Sequence, residues 1–244
     1  AAGLRPEARL VGRFLAGLDL DEAARFHPDG SPVPGRPEAG DAAGWVAAAR
    51  RALTTPVTAS TFLIGGDTVT PDREGRRWRG WQDYGENVTG DLLGNAIAAS
   101  APGAEIRSLF LGPRGLTRNR GAEELDSAAA WAATVFPSRG LRAAVRTTLL
   151  EFARRSTRYG IPPIEGWTPG EVWTAPTAWS AWALINLGEL HVADGLLREL
   201  HRAETPDGTL PERVSAMDGH PTSTTPLAWS HAFAILALRA RYPG

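Results

Sequence analysis

The segment from Asp207 to Ala232 brings a carboxylate, an aromatic ring and an imidazole into one short stretch. It runs Gly208-Thr209-Leu210-Pro211-Glu212-Arg213, then Gly219-His220-Pro221-Thr222-Ser223, then Thr225-Pro226-Leu227-Ala228-Trp229-Ser230-His231-Ala232. Glu212 stands between a proline and an arginine in a polar loop. Trp229 and His231 fall in the first turn of a helix that Pro226 starts and that runs to about Arg241. An ionised carboxylate on a rigid loop is what a general base requires. A tryptophan beside it offers a flat platform of the kind on which sugar rings stack.

Composition removes several other chemistries. All 26 basic residues are arginine, so lysine Schiff bases and phosphate-loop lysines are excluded. Cysteine is absent, and with it disulfides, thiol nucleophiles and cysteine–zinc sites. The five histidines show no His-x-x-x-His spacing, and His191 and His201 lie about 15 Å apart along one helix. No metal and no cofactor is therefore expected. The 27 acidic groups nearly cancel the basic ones, which gives no electrostatic hold on nucleic acid or an anionic membrane. No stretch is long and apolar enough to span a bilayer. Ala1 to Leu10 has no signal-peptide pattern, which leaves the compartment open.

The elements that must position Glu212 follow from periodicity. In a chain of 244 residues, 43% hydrophobic, a sizeable core is expected. Leu10 to Leu18, Ala42 to Leu53, Val88 to Ser100, Ala122 to Val135 and Arg139 to Arg154 read as helices. Thr177 to Leu187 follows, stopped by Gly188, then Leu190 to Ala203 and the helix after Pro226. A two-residue link makes the Thr177–Leu187 and Leu190–Ala203 helices antiparallel neighbours. Residues 57–69 admit a short strand or hairpin. The pattern is about eight helices joined alternately by short and long loops, which describes stacked helical hairpins. Loops 156–174 and 205–225 then lie at one end, where function is expected. Serial stacking and a toroid both fit.

The Asp207–Ala232 segment resembles the last catalytic loop of glucoamylases and related inverting α-glucosidases, the glucoamylase and glucodextranase family. That loop reads Gly, an aliphatic pair, Pro or Ser, Glu and Gln. It continues through Gly-x-Pro-x-Ser into Pro-Leu-x-Trp-Ser/Ala-His-Ala, and both spacings are kept here. By this resemblance Glu212 is the catalytic base that activates water, with Arg213 where the family carries glutamine. Arg158-Tyr159, Glu165-Gly166 and Gly170-Glu171-Val172-Trp173 resemble the preceding loop, which lines the sugar subsites. Substrate contacts are accordingly expected from Arg158, Tyr159, Glu165 and Trp167, and from Glu171, Trp173, Trp229 and His231. Glu124 to Tyr242 corresponds to the last six helices of an (α/α)6 barrel, and residues 1–123 diverge.

Inverting hydrolysis also needs a protonated carboxyl about 6.5–9.5 Å from the base. In the family this acid follows a tryptophan, in a Trp-Glu-Glu element. Here Trp81-Gln82-Asp83-Tyr84-Gly85-Glu86 precedes a helix, and Gln82 has no acidic proton. Asp83 is the candidate acid, with Glu86 beside it. A second alignment makes Asp83 a ligand of a sugar hydroxyl instead.

The expectation is an all-α, single-domain chain over 1–244, its helical hairpins forming a reduced or partial (α/α)6-type toroid. A further chain segment or subunit would complete the barrel. The expected function is inverting hydrolysis of α-linked glucosides or oligosaccharides from the non-reducing end. The alternative is a non-catalytic carbohydrate-binding protein on a degenerate barrel.

Overall fold

The computed structural model describes residues 5–18, 26–34, 41–54 and 92–243. The chain divides into two compact units, Ala1–Pro102 and Gly103–Gly244. The family-like stretch expected over 124–244 falls within the second. The strand or hairpin expected near 57–70, together with Asp83 and Glu86, lies outside the described residues.

In the first unit, helix α1 (Arg5–Ala16) packs on α2 (Ala42–Thr54), and α2 on the short α3 (Leu93–Ala98). Gly44 permits the second contact. A Cβ there would stand 2.2 Å from the Ala98 carbonyl oxygen, so the backbones meet only because the side chain is absent.

The second unit is a run of helical hairpins. It begins with α4 (Gly103–Phe110), a short helix with no counterpart in the sequence reading. Its apolar residues Ile106, Leu109 and Phe110 do fall at helical spacing, but over only eight residues, of which Ile106 and Phe110 are buried. A two-strand hairpin follows, β1 (Leu111–Gly112) with β2 (Gly115–Leu116). The helix expected over 122–135 is a 3-10 helix confined to Ser127–Ala133. It cannot start earlier, because Leu125 bridges to Thr117 and Asp126 to Ile164. Asp126 then caps it, accepting from the Ala128 N–H at 2.8 Å. Residues 139–154 form a 3-10 turn running into α5 (Arg142–Arg154).

Helix α6 (Thr174–Leu187) is the centre of the unit. It starts three residues before the expected Thr177, because Pro176 lies in a first turn whose N–H groups have no partner within the helix. Most of its length is buried on every side, against α7 (Leu190–Arg202), α8 (Ala228–Arg241), α5 and the 3-10 helix. Gly188 ends it at φ +88, as expected of a left-handed cap. Trp179 is fully buried and donates to the Ser127 hydroxyl at 3.3 Å. Trp131, Trp229 and Phe233 meet its ring edge-on, at centroid distances of 5.5, 5.6 and 5.4 Å.

The two long loops meet at one end, as expected. Strand β3 (Glu171–Trp173) pairs antiparallel with β4 (Arg213–Ser215), in the register Glu171–Ser215, Val172–Val214 and Trp173–Arg213. The all-α class is what the structure shows; the two described strand pairs tie loops and build no sheet layer.

Trp179→Ala removes the ring on which three aromatic side chains converge. Urea unfolding should show a loss of about 3–5 kcal/mol. A change near zero would mean that this cluster does not hold the second unit together.

Candidate active site

Glu212 is set by backbone pairing on both sides of it. The Leu210 N–H donates to His231 Nε2 at 2.9 Å, and the Leu210 carbonyl accepts from the Leu227 N–H at 2.9 Å. Pro211 has no N–H to satisfy, and its carbonyl accepts from the Thr174 hydroxyl. That hydroxyl shares a second hydrogen bond with the Ser230 hydroxyl at 2.8 Å. The Glu212 N–H donates to the Thr224 carbonyl at 2.8 Å, and its carbonyl accepts from the Thr174 N–H at 3.2 Å. The segment is therefore fixed to the starts of α6 and α8.

The Glu212 side chain is half-buried. Its Oε2 accepts from the Ser223 hydroxyl and lies 3.7 Å from Arg213 Nε. Oε1 has no protein partner among the described residues. Arg213 donates from NH1 to Glu171 Oε2 at 2.8 Å, so its cation stands between two carboxylates. The guanidinium also lies over the Trp173 ring, 5.7 Å from its centroid. Trp167 meets Trp173 edge-on at 5.7 Å. The β3–β4 pair thus brings Glu171, Trp173, Arg213 and Glu212 together, with Trp167 alongside.

The other expected contact residues have different surroundings. Tyr159 packs on Val172, Ala203 and Val214, with its ring against Gly219. A Cβ at 219 would come 2.4 Å from Tyr159 Cε1, and φ there is +78, so the contact requires glycine. Glu165 is held by Arg114, whose two terminal nitrogens donate to its oxygens at 2.7 and 2.6 Å, and by Arg155. Hydrogen bonds from Arg114 hold its carboxyl below the usual carboxylate range, against a desolvation that pushes it up. A small pocket floored by Leu125, Phe152 and Pro162 lies beside this clamp. Arg158 is exposed. Trp229 is half-buried against Trp179, and the His231 ring faces the Leu210 backbone. Among the described residues no cluster of His, Asp and Glu is arranged to hold a metal, and no helix is long and apolar enough to cross a membrane.

Three partners of the site went unread in the sequence. Ser223 is the serine of the Gly-x-Pro-x-Ser element, so its signal was present without a role attached. Thr174 and Ser230 were concealed inside helix starts, where a hydroxyl ordinarily reads as a cap.

A chain of helical hairpins with a carboxylate on the loop before the last helix has a fold that glycosidases also carry. A wild-type glycosidase superposes with a TM-score of 0.62 at 20% identity, over 98% of this chain and 79% of that one. A glycosidase variant with alanine for glutamate, solved in complex with glucose, gives 0.65 at 18% identity, over 98% and 78%. A phenylalanine-for-tyrosine variant gives 0.65 at 19%, with the same coverage. The likeness is one of fold. No family model matches the chain, and no curated protein matches it in sequence.

Beyond β4 the loop turns through Asp218, whose Oδ1 lies 2.6 Å from His220 Nδ1. Hydrogen bonds from the His220 ring, from Ser215 and from the His220 N–H lower the Asp218 carboxyl from 3.8 to about 2. A depressed acid stabilises the fold above its unfolded value, and that contribution is lost as pH falls through about 2. A carbon-13 NMR titration should place Asp218 near this value, and His220→Ala should move it back towards 3.8. An unshifted midpoint in the unsubstituted protein would show that the turn is open in solution.

Proposed function

We propose that the protein is an inverting glycoside hydrolase that releases single sugars from the non-reducing ends of α-linked glucosides, with Glu212 as general base. The observation that carries the reading is the division of labour at its carboxylate. Ser223 and Arg213 engage Oε2, and Oε1, with no partner among the described residues, is the oxygen that takes water. In this mechanism Oε1 takes a proton from water as the water oxygen attacks the anomeric carbon. The leaving oxygen is protonated by a second carboxyl on the opposite face of the sugar. Asp83, outside the described residues, is the candidate for that acid. Trp167, half-buried, supplies aromatic surface beside the base. Trp173, only 5% exposed with Arg213 over its ring, packs beneath the site rather than facing a sugar, and Glu171 holds Arg213. The fold shared with glycosidases, one of them in complex with glucose, supports a sugar as the ligand.

One observation favours a second reading. Gln82 follows Trp81 where the family resemblance calls for the acid, so a carbohydrate-binding protein on the same fold would have this sequence. Leaving groups separate the two. A natural disaccharide needs a protonated leaving oxygen, whereas an α-glucosyl fluoride needs little acid help. An enzyme with its acid intact cleaves both, one that has lost the acid cleaves only the fluoride, and a binder cleaves neither.

Glu212→Gln keeps the size of the side chain and cannot accept the proton. Turnover of an α-linked oligosaccharide should fall by about 10²–10⁴ while binding of the same sugar survives. Undiminished turnover would remove Glu212 from the mechanism.

A further inference from the structure

His231 lies one turn into α8, and its backbone N–H donates to the Leu227 carbonyl at 3.3 Å. Side chains on a helix lean towards its N-terminus, which carries this ring back over the helix start. There Nε2 accepts from the Leu210 N–H at 2.9 Å. The Leu210 carbonyl is already taken by the Leu227 N–H, so this residue is tied to α8 through both its backbone groups. Leu210 is 3% exposed, so its N–H calls for a protein acceptor, and the imidazole supplies it. An imidazole accepts at Nε2 only when neutral and carrying its proton on Nδ1. Leu210 stands two residues before Glu212, with only the stiff Pro211 between them.

We propose that His231 is a positioning residue. Its neutral Nε2 fixes the height of the Leu210–Glu212 segment over the helix starts, and so the place of the Glu212 carboxylate. The proposal rests on the reading of Glu212 as base. It assigns His231 an action on the loop backbone, where the sequence alone suggests contact with the sugar.

The experiment compares His231→Phe, which keeps the ring volume without an acceptor, with His231→Gln, whose amide oxygen can replace Nε2. In the phenylalanine variant kcat for an α-linked oligosaccharide should fall by about 10- to 100-fold with KM little changed. Hydrogen exchange at the Leu210 amide should accelerate, and glutamine should restore both. Nitrogen-15 NMR of the unsubstituted protein should show His231 Nε2 unprotonated and hydrogen-bonded, a readout that needs no variant to fold. An Nε2–H tautomer, or unchanged Leu210 exchange in the phenylalanine variant, overturns the clamp. A raised KM with kcat intact overturns it in favour of direct sugar contact. Full turnover by Glu212→Gln sinks the base, and the positioning role with it, whatever Leu210 does.

Discussion

A buried backbone group must find a partner, and at Leu210–Glu212 most of the partners are the beginnings of two helices, the Glu212 N–H alone turning to the Thr224 carbonyl in the loop. The dependence runs both ways. Neither α6 nor α8 has a side-chain cap on its first turn. The Thr174 N–H at the start of α6 is satisfied by the Glu212 carbonyl, and the Leu227 N–H before α8 by the Leu210 carbonyl. The loop thus caps the helices while the helices hold the loop. A carboxylate placed in this way is fixed by a network that also sets where two core helices begin.

The same economy governs the neighbouring loop. The Trp173 N–H donates to the Ile161 carbonyl at 2.9 Å, and the Ile161 N–H donates to the Thr177 hydroxyl at 3.1 Å, which itself donates to the Trp173 carbonyl. Loop 156–174 is thereby folded onto the first turn of α6. The β3–β4 rungs then join it to loop 205–225. Glu171 and Arg213 face each other across that joint, so the charge beside Glu212 depends on both loops being in place.

Much of this arrangement could be read from the sequence, and the parts that could not share a cause. Gly188, the α6–α7 turn and the Glu212 segment carry local signals: a left-handed cap, a two-residue link, a motif with its spacing. The confinement of the 3-10 helix to Ser127–Ala133 comes from bridges to residues distant in the chain, which override a helical composition. The strands β3 and β4 are three residues each and exist only by pairing across loops. Glu165 is expected from the sequence as a sugar contact, and only folding brings Arg114 to it. Local chemistry was legible, whereas the partner of each group depends on contacts between distant segments.

The span of these contacts has a consequence for the order in which the molecule is assembled. Helices α6 and α7 can close on each other through a two-residue turn, at little entropic cost. The Thr174–Ser230 bond joins residues 56 positions apart, and His231 reaches back 21 positions to Leu210. Such contacts form only after long stretches of chain have been gathered. On a ribosome the chain grows from its N-terminus. Glu212 is therefore made before Ser223, Ser230 and His231, the residues that hold it. A nascent chain carries this carboxylate on an untied loop until α8 has been made.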